Sequence, residues 1–191
     1  MGLLDVLTDE HRGLVTMLGV MDAVALRVRK GEGVPPGMLT GLLDFFEFFT
    51  DGHHVQEEQL LFPLLAEHGI GRDQTVVNAL LAQHEAGRSY GRKMRADLSQ
   101  MSAGDPEARL RFADHAQGYV ELIREHIRIE DTYFYQVAEE ILTHAEKARI
   151  TEAFSRAKGR LVPEQERDRY LQMIREYPVI VAGWSKAAGS A

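Results

Sequence analysis

The chain has 191 residues, with 22 Lys and Arg against 29 Asp and Glu for a formal net charge of -7, 45% hydrophobic residues and no cysteine. Those proportions predict a soluble globular protein of one domain with at most a small appendage, and the acidic balance works against binding to phosphate backbones or anionic lipid, so neither nucleic acid nor a membrane is expected as a partner. Without Cys there is no disulfide, no thiolate nucleophile, no zinc finger and no Cys-ligated iron–sulfur cluster, so any metal would rest on His, carboxylate or water.

Apolar residues recur at three- and four-residue spacing almost throughout, and alternating strand-type runs are missing, which predicts an all-α chain. The first helix runs from about Leu3 to Arg29 and stops in the breaker stretch Lys30-Gly31-Glu32-Gly33-Val34-Pro35-Pro36. The second runs from about Gly37 to Glu67 and ends at His68-Gly69, with Pro63 removing one donor and bending it. The third goes from about Asp73 to Met101, closed by Ser102-Ala103-Gly104. Asp105-Pro106 supplies an N-cap and a proline at the first position of a fourth helix that reaches about Leu142.

Four long helices with short connections predict an antiparallel, up-down-up-down four-helix bundle over residues 1–145. Two shorter segments, about Ala145 to Lys158 and Glu164 to Tyr177, form a helical appendage over 146–178. Residues 179–191 are expected to be a flexible tail, although Trp184 would gain from docking. The opening MGLLDVLTDEHRG lacks the basic start and apolar core of a signal peptide, and no apolar run approaches the roughly 20 residues that cross a bilayer, so a cytoplasmic location is expected.

Positions three, four and seven apart share a helical face. On the second helix the apolar stripe is Leu42, Phe46, Phe49, then His53 and Glu57, then Leu60 and Leu64. The neighbouring His54 and Glu58 continue a polar line through Glu47 and Thr50 or Asp51 that is expected to be solvated. On the fourth helix the same signature returns, with His126 and Glu130 between Ile123 and Phe134. The third helix places His84 between Leu80 and Gly87, and the first places His11 between Leu7 and Leu14. A single His on an apolar face is usually a satisfied core residue. Four of them with two buried carboxylates form a core that needs positive charge, because unpaired buried carboxylates cost several kcal/mol each or protonate; two metal ions supply that charge.

The remaining histidines have other expected roles. His115 lies about 16 Å along the axis from His126, too far to share its ions, and is expected at the boundary. His68 and His144, near helix ends, are expected to complement the dipole. Tyr119 is expected to be core, Arg88 a salt-bridged edge residue, and Gly87 and Gly91 either a close helix approach or a small access path.

These residues together resemble the hemerythrin-like, or HHE cation-binding, family. The matching pieces are Asp9-Glu10-His11, the run from His53 to Pro63 (HHVQEEQLLFP), Gln83-His84-Glu85 with Arg88, and the run from Glu125 to Asp131 (EHIRIED). The resemblance covers residues 3 to 145. It implies a di-iron centre with an oxygen-derived bridge, with His11 and His53 on one iron, His84 and His126 on the other, and Glu57 and Glu130 bridging; Zn or Mn are the alternative occupants of a purified sample. Imidazole and carboxylate without thiolate suit such ions. Oxygen carriers of the family have a second His one turn along the third helix, where this chain has Arg88, and an Asp five residues beyond the last His, where Glu130 stands at four and Asp131 is the fallback. The resemblance therefore implies a protein that senses or handles O2, NO, peroxide or iron. The alternatives are a di-iron oxidoreductase or iron-centre repair factor, and a helical interaction module without metal. A diatomic or peroxide ligand is the expected partner, with a protein partner or homo-oligomer left open.

Overall fold

The structure, a computed structural model, describes residues 3–70, 76–161 and 164–188, and these are helical apart from short connections, with no strand among them. Helix α1 is Leu3–Arg29. Helix α2 spans 38–67 as a continuous run in which α-helical Met38–Phe45, Asp51–Gln56 and Phe62–Glu67 alternate with the π-helical turns Phe46–Thr50 and Glu57–Leu61. Helix α3 is Val76–Ser102; its expected start at Asp73 lies outside the described residues. Helix α4 spans 108–141 and carries a third π turn, Glu130–Phe134, between Ala108–Ile129 and Tyr135–Ile141. Helices α5, His144–Leu161, and α6, Glu164–Ala188, follow. No described helix is long and apolar enough to cross a membrane.

The helix ends follow local chemistry. Gly69 and Gly104 adopt φ of 85° and 91°, left-handed values that glycine takes without steric cost, and they close α2 and α3. Asp105 Oδ1 accepts from the Glu107 N–H at 2.9 Å ahead of α4. Before α5, Thr143 and Glu146 form a reciprocal capping box: the Glu146 carboxylate accepts from the Thr143 N–H at 2.8 Å, and the Thr143 hydroxyl accepts from the Glu146 N–H at 3.3 Å. His144 therefore opens α5 instead of closing α4, and it is exposed. His68 pairs with Glu146 at 2.9 Å, tying the end of α2 to α5.

Two apolar clusters lie along the four long runs. One gathers Leu14 to Val28 of α1, Met38 to Phe46 of α2, Met94 of α3 and Phe112 to Ile127 of α4. The other gathers Leu7, then Leu61 to Leu65, Leu80, and Phe134 to Leu142. α1 and α3 pass from the second cluster to the first along the chain, α2 and α4 the reverse way, and the predicted histidines fall close to the change from one cluster to the other on every run.

The C-terminal helices extend these cores. Ile150 and Phe154 of α5 join the second cluster, and Tyr170 and Met173 of α6 join the first. α6 comes close at two glycines: a Cβ on Gly13 would meet Ile174 at 3.1 Å, and one on Gly41 would meet the Tyr177 hydroxyl at 2.8 Å. Where residues 179–191 were expected to form a tail, α6 instead continues through Pro178 to Ala188. Its apolar face, Ile174, Tyr177, Val181 and Trp184, keeps helical spacing past the proline and packs on the first cluster, while the Arg27 guanidinium lies 4.6 Å from the Trp184 ring centre. That packing outweighs the single backbone bond lost at Pro178. Gly19 is exposed within α1, and a Cβ there meets nothing within 4 Å. Gly19→Ala is expected to stabilise the chain by about 0.5–1 kcal/mol, read as a higher denaturant midpoint at unchanged slope.

Candidate metal centre

All six predicted residues come together in the layer between the two clusters. His11, His53, His84 and His126 are no more than 2% exposed, and Glu57 and Glu130 are fully buried. The imidazoles meet in pairs: His11 Nε2 lies 3.0 Å from His53 Nε2, and His84 Nε2 lies 3.2 Å from His126 Nε2. Two ring nitrogens this close are held either by a shared proton or by a cation on which both lone pairs converge.

Each carboxylate spans both pairs. Glu57 Oε1 is 3.7 Å from His53 Nε2 and its Oε2 is 3.6 Å from His84 Nε2. Glu130 Oε2 is 3.3 Å from His11 Nε2 and its Oε1 is 3.1 Å from His126 Nε2. Glu57 Oε2 and both Glu130 oxygens are buried with no hydrogen bond of normal geometry. Orphaned carboxylate oxygens in a dry interior are costly unless a cation meets them. The donor atoms divide into two sets, each within 4.8 Å of one another: His11, His53 and Glu130, and His54, Glu57, His84 and His126.

The outer ring nitrogens are fixed from behind. Asp131 accepts from His11 Nδ1 at 2.8 Å, Glu10 from His53 Nδ1 at 2.9 Å, Glu58 from His84 Nδ1 at 2.8 Å and Gln83 from His126 Nδ1 at 3.0 Å. With Nδ1 donating, each Nε2 lone pair is aimed inward, the arrangement that orients imidazole toward a metal. Asp131 and Glu58 thus support ring orientation in this structure, and Arg88 grips Glu58 at 2.6 Å. Gln83→Ala removes one such acceptor without changing charge and is expected to weaken metal affinity about 10- to 100-fold, measured by chelator competition.

The expectation that His54 is solvated is overturned, for it is 2% exposed and its ring stacks on His84 with centroids 3.9 Å apart. The cause is the π turn Phe46–Thr50 just upstream, whose extra residue rotates the following helix so that Thr50, His53 and His54 all face inward. The carboxylates themselves open the other two π turns: the Phe62 N–H reaches back five residues to the Glu57 carbonyl, and the Tyr135 N–H to that of Glu130. Pro63 offers no donor to an α-helical ladder beside the first, and the Thr132 hydroxyl bonds back to the Arg128 carbonyl at 2.6 Å beside the second.

Tyr135 is the other residue not anticipated. Its hydroxyl donates to Glu57 Oε1 at 2.6 Å and sits 3.4 Å from the Nε2 atoms of both His11 and His53. Five residues after Glu130, it reaches this face because the π turn lies between them. His115 pairs with Asp97 at 2.7 Å at the boundary, and Tyr119 is buried against Phe46.

Charge in the site is finely opposed. For His11, burial disfavours the imidazolium but the hydrogen bond to Asp131 and the negative charge of nearby Glu130 outweigh it, lifting the pKa to about 9. Burial lowers His53 against the pull of Glu10; burial, with the neighbouring His126 imidazole, takes His84 down to about 4. His54 falls well below its ordinary value through burial and the neighbouring imidazoles. Glu57 is pushed well up by burial and by Glu130, whereas Glu130 overcomes its burial because His126 and His11 hold it ionised. Protons thus occupy a space whose donors, imidazole nitrogen and carboxylate oxygen, are those of a transition-metal site.

No curated protein and no solved structure gives a significant match to the chain. A family model described as the hemerythrin HHE cation-binding domain matches residues 2–138. That match spans most of the chain and takes in all the residues that converge here, from His11 to Tyr135, and the chain belongs to the hemerythrin HHE cation-binding domain family.

Proposed function

We propose that this protein holds a non-haem di-iron centre and uses it to sense or handle O2, NO, peroxide or iron itself. The observation that carries the reading is that Glu57 and Glu130 each turn one oxygen toward each imidazole pair, as two bridging carboxylates would. His11 and His53 serve one ion, His84 and His126 the other, with His54 as a further imidazole on the second side. The antiparallel, up-down-up-down order of the four long helices is part of the proposal, supported by their alternating passage through the two apolar clusters.

When bound, a pair of irons supplies exchangeable positions for a small ligand and a store of electrons. The chain's own residues supply the setting: Asp131, Glu10, Glu58 and Gln83 accept from the Nδ1 atoms and keep the rings aimed inward, and Tyr135 donates a hydrogen bond to Glu57 Oε1. The two sides are unequal in imidazoles, and the side with fewer, His11 and His53, faces the Tyr135 hydroxyl. The proposal puts this chemistry in the cytoplasm, a reading supported by an acidic composition without Cys, with a small diatomic or peroxide as the ligand and with any electron donor or protein partner outside the chain. A redox enzyme or repair factor would use the same residues and differs in turnover.

The test is titration of the reduced, iron-loaded protein with O2 while the visible spectrum is followed. Oxidation that does not reverse on removing O2 is the expected result. A spectrum that returns fully on deoxygenation would contradict the sensing and handling role in favour of reversible carriage.

A further inference from the structure

The two imidazole pairs of the metal layer are backed by unequal charge. On one pair both outer nitrogens donate to carboxylates, His11 Nδ1 to Asp131 at 2.8 Å and His53 Nδ1 to Glu10 at 2.9 Å. Asp131 is one-third exposed and has no other ion pair among the described residues. On the other pair His126 Nδ1 donates to the uncharged amide of Gln83 at 3.0 Å. His84 Nδ1 donates to Glu58 Oε1 at 2.8 Å, but that same oxygen also accepts from Arg88 at 2.6 Å. Arg88 meets Asp51 and Glu85 only at 3.6 and 3.9 Å, so its nearest anion is the carboxylate behind His84. Inside the layer the charge is even, because Glu57 and Glu130 each reach both pairs. The inequality therefore lies behind the rings: two carboxylates on one side, an arginine-bound carboxylate and an amide on the other.

A carboxylate that accepts from Nδ1 draws the ring proton toward itself and makes the imidazole a stronger donor through Nε2, and its charge favours the more highly charged state of an ion held there. An arginine on that carboxylate offsets the charge, and an amide accepts without any. We infer that Asp131 and Glu10 set the two ions apart, so that the pair gives up its electrons singly, the first from the ion on His11 and His53, to a one-electron acceptor. That ion loses one electron and the acceptor gains it; no bond breaks, and each Nδ1 proton stays between its ring and its carboxylate. Arg88 and Gln83 act the other way on the second ion and keep it in its lower charge until a stronger oxidant is met. The inference rests on the di-iron reading and adds to it an order of oxidation and a class of redox partner.

Potentiometric titration of the reduced, iron-loaded protein with ferricyanide tests this, with iron content measured on the same samples. The wild type is expected to show two one-electron steps, the intermediate form being favoured by about a hundredfold or more, a separation of about 118 mV at 59 mV per factor of ten. Asp131→Asn keeps an acceptor for His11 Nδ1 and removes its charge. It is expected to raise the first midpoint by about tenfold, or 59 mV, while the second moves by less than half as much. Gln83→Glu puts a carboxylate behind His126 and is expected to lower the second midpoint by a similar amount with the first little changed, so the separation narrows in both variants. A purely structural role would change iron content or move the two midpoints together. Two irons per chain with a single two-electron step in the wild type, or with variants that move both midpoints alike or the opposite one, would overturn this inference and leave the di-iron reading standing. Fewer than two irons per chain in the wild type would overturn both.

Discussion

Glu130→Gln is expected to cut bound metal to less than one ion per chain and to abolish the rise in melting temperature that metal confers. The substitution keeps the shape of the side chain and removes its charge. Glu130 is fully buried, lies 3.3 Å from His11 and 3.1 Å from His126, and has no hydrogen-bonding partner on either oxygen, so no other group of the layer can take over its place between the two imidazole pairs. A ligand present at a thousand times its dissociation constant stabilises a fold by about 4 kcal/mol. In a chain of this size that corresponds to a shift of roughly 10 °C. The wild type is expected to show that shift between metal-free and metal-loaded protein, and Glu130→Gln to lose nearly all of it, measured by calorimetry beside elemental analysis. Full metal content in the variant would remove Glu130 from the centre.

The second large effect is opposite pH dependence of the metal-free and metal-loaded forms. In the metal-free chain the pKa of His11 is raised from 6.5 to about 9. A raised group contributes stability that is fully present below its unfolded pKa and is lost as pH rises through the folded one, so this contribution fades between about pH 6.5 and 9. Its size is at most about 3 kcal/mol. Glu57, also raised, acts in the same direction. His53, His54 and His84 are lowered, the last to about 4, so their neutral folded forms lose stability as pH falls below 6.5. Stability of the metal-free chain should therefore peak near pH 6.5. Metal needs the imidazoles deprotonated and releases protons as it binds, so its affinity climbs with pH. The gap in melting temperature between the two forms should widen from pH 6.5 to 9, and a constant gap would contradict the assignment of His11 to the centre.

Much of this was legible in the sequence because helical periodicity and burial are linked. The stripes through His11, His53, His84 and His126 follow the 3.6-residue repeat, and the breakers at Gly31, Gly69 and Gly104 mark where it stops. Periodicity fails where the repeat itself changes. The turns Phe46–Thr50 and Glu130–Phe134 hold an extra residue, and for that reason His54 and Tyr135 reach the interior from positions that a regular helix would send elsewhere. Glu10 and Gln83 sit beside His11 and His84 in the chain yet serve His53 and His126, across the layer, and cross-helix pairings of that kind leave no trace in the spacing along one helix. The continuation of α6 past Pro178 was hidden for a different reason. A local breaker signal was outweighed by the packing of Val181 and Trp184, which depends on residues far away in sequence.

The most direct measurement of the central claim is elemental analysis with a visible spectrum of protein purified with iron available, for the wild type and for His53→Ala and His126→Ala. About two irons per chain, with the absorption of a coupled ferric pair, and loss of both in the variants are predicted. No bound transition metal in the wild type, together with unaltered stability in the two variants, would contradict it.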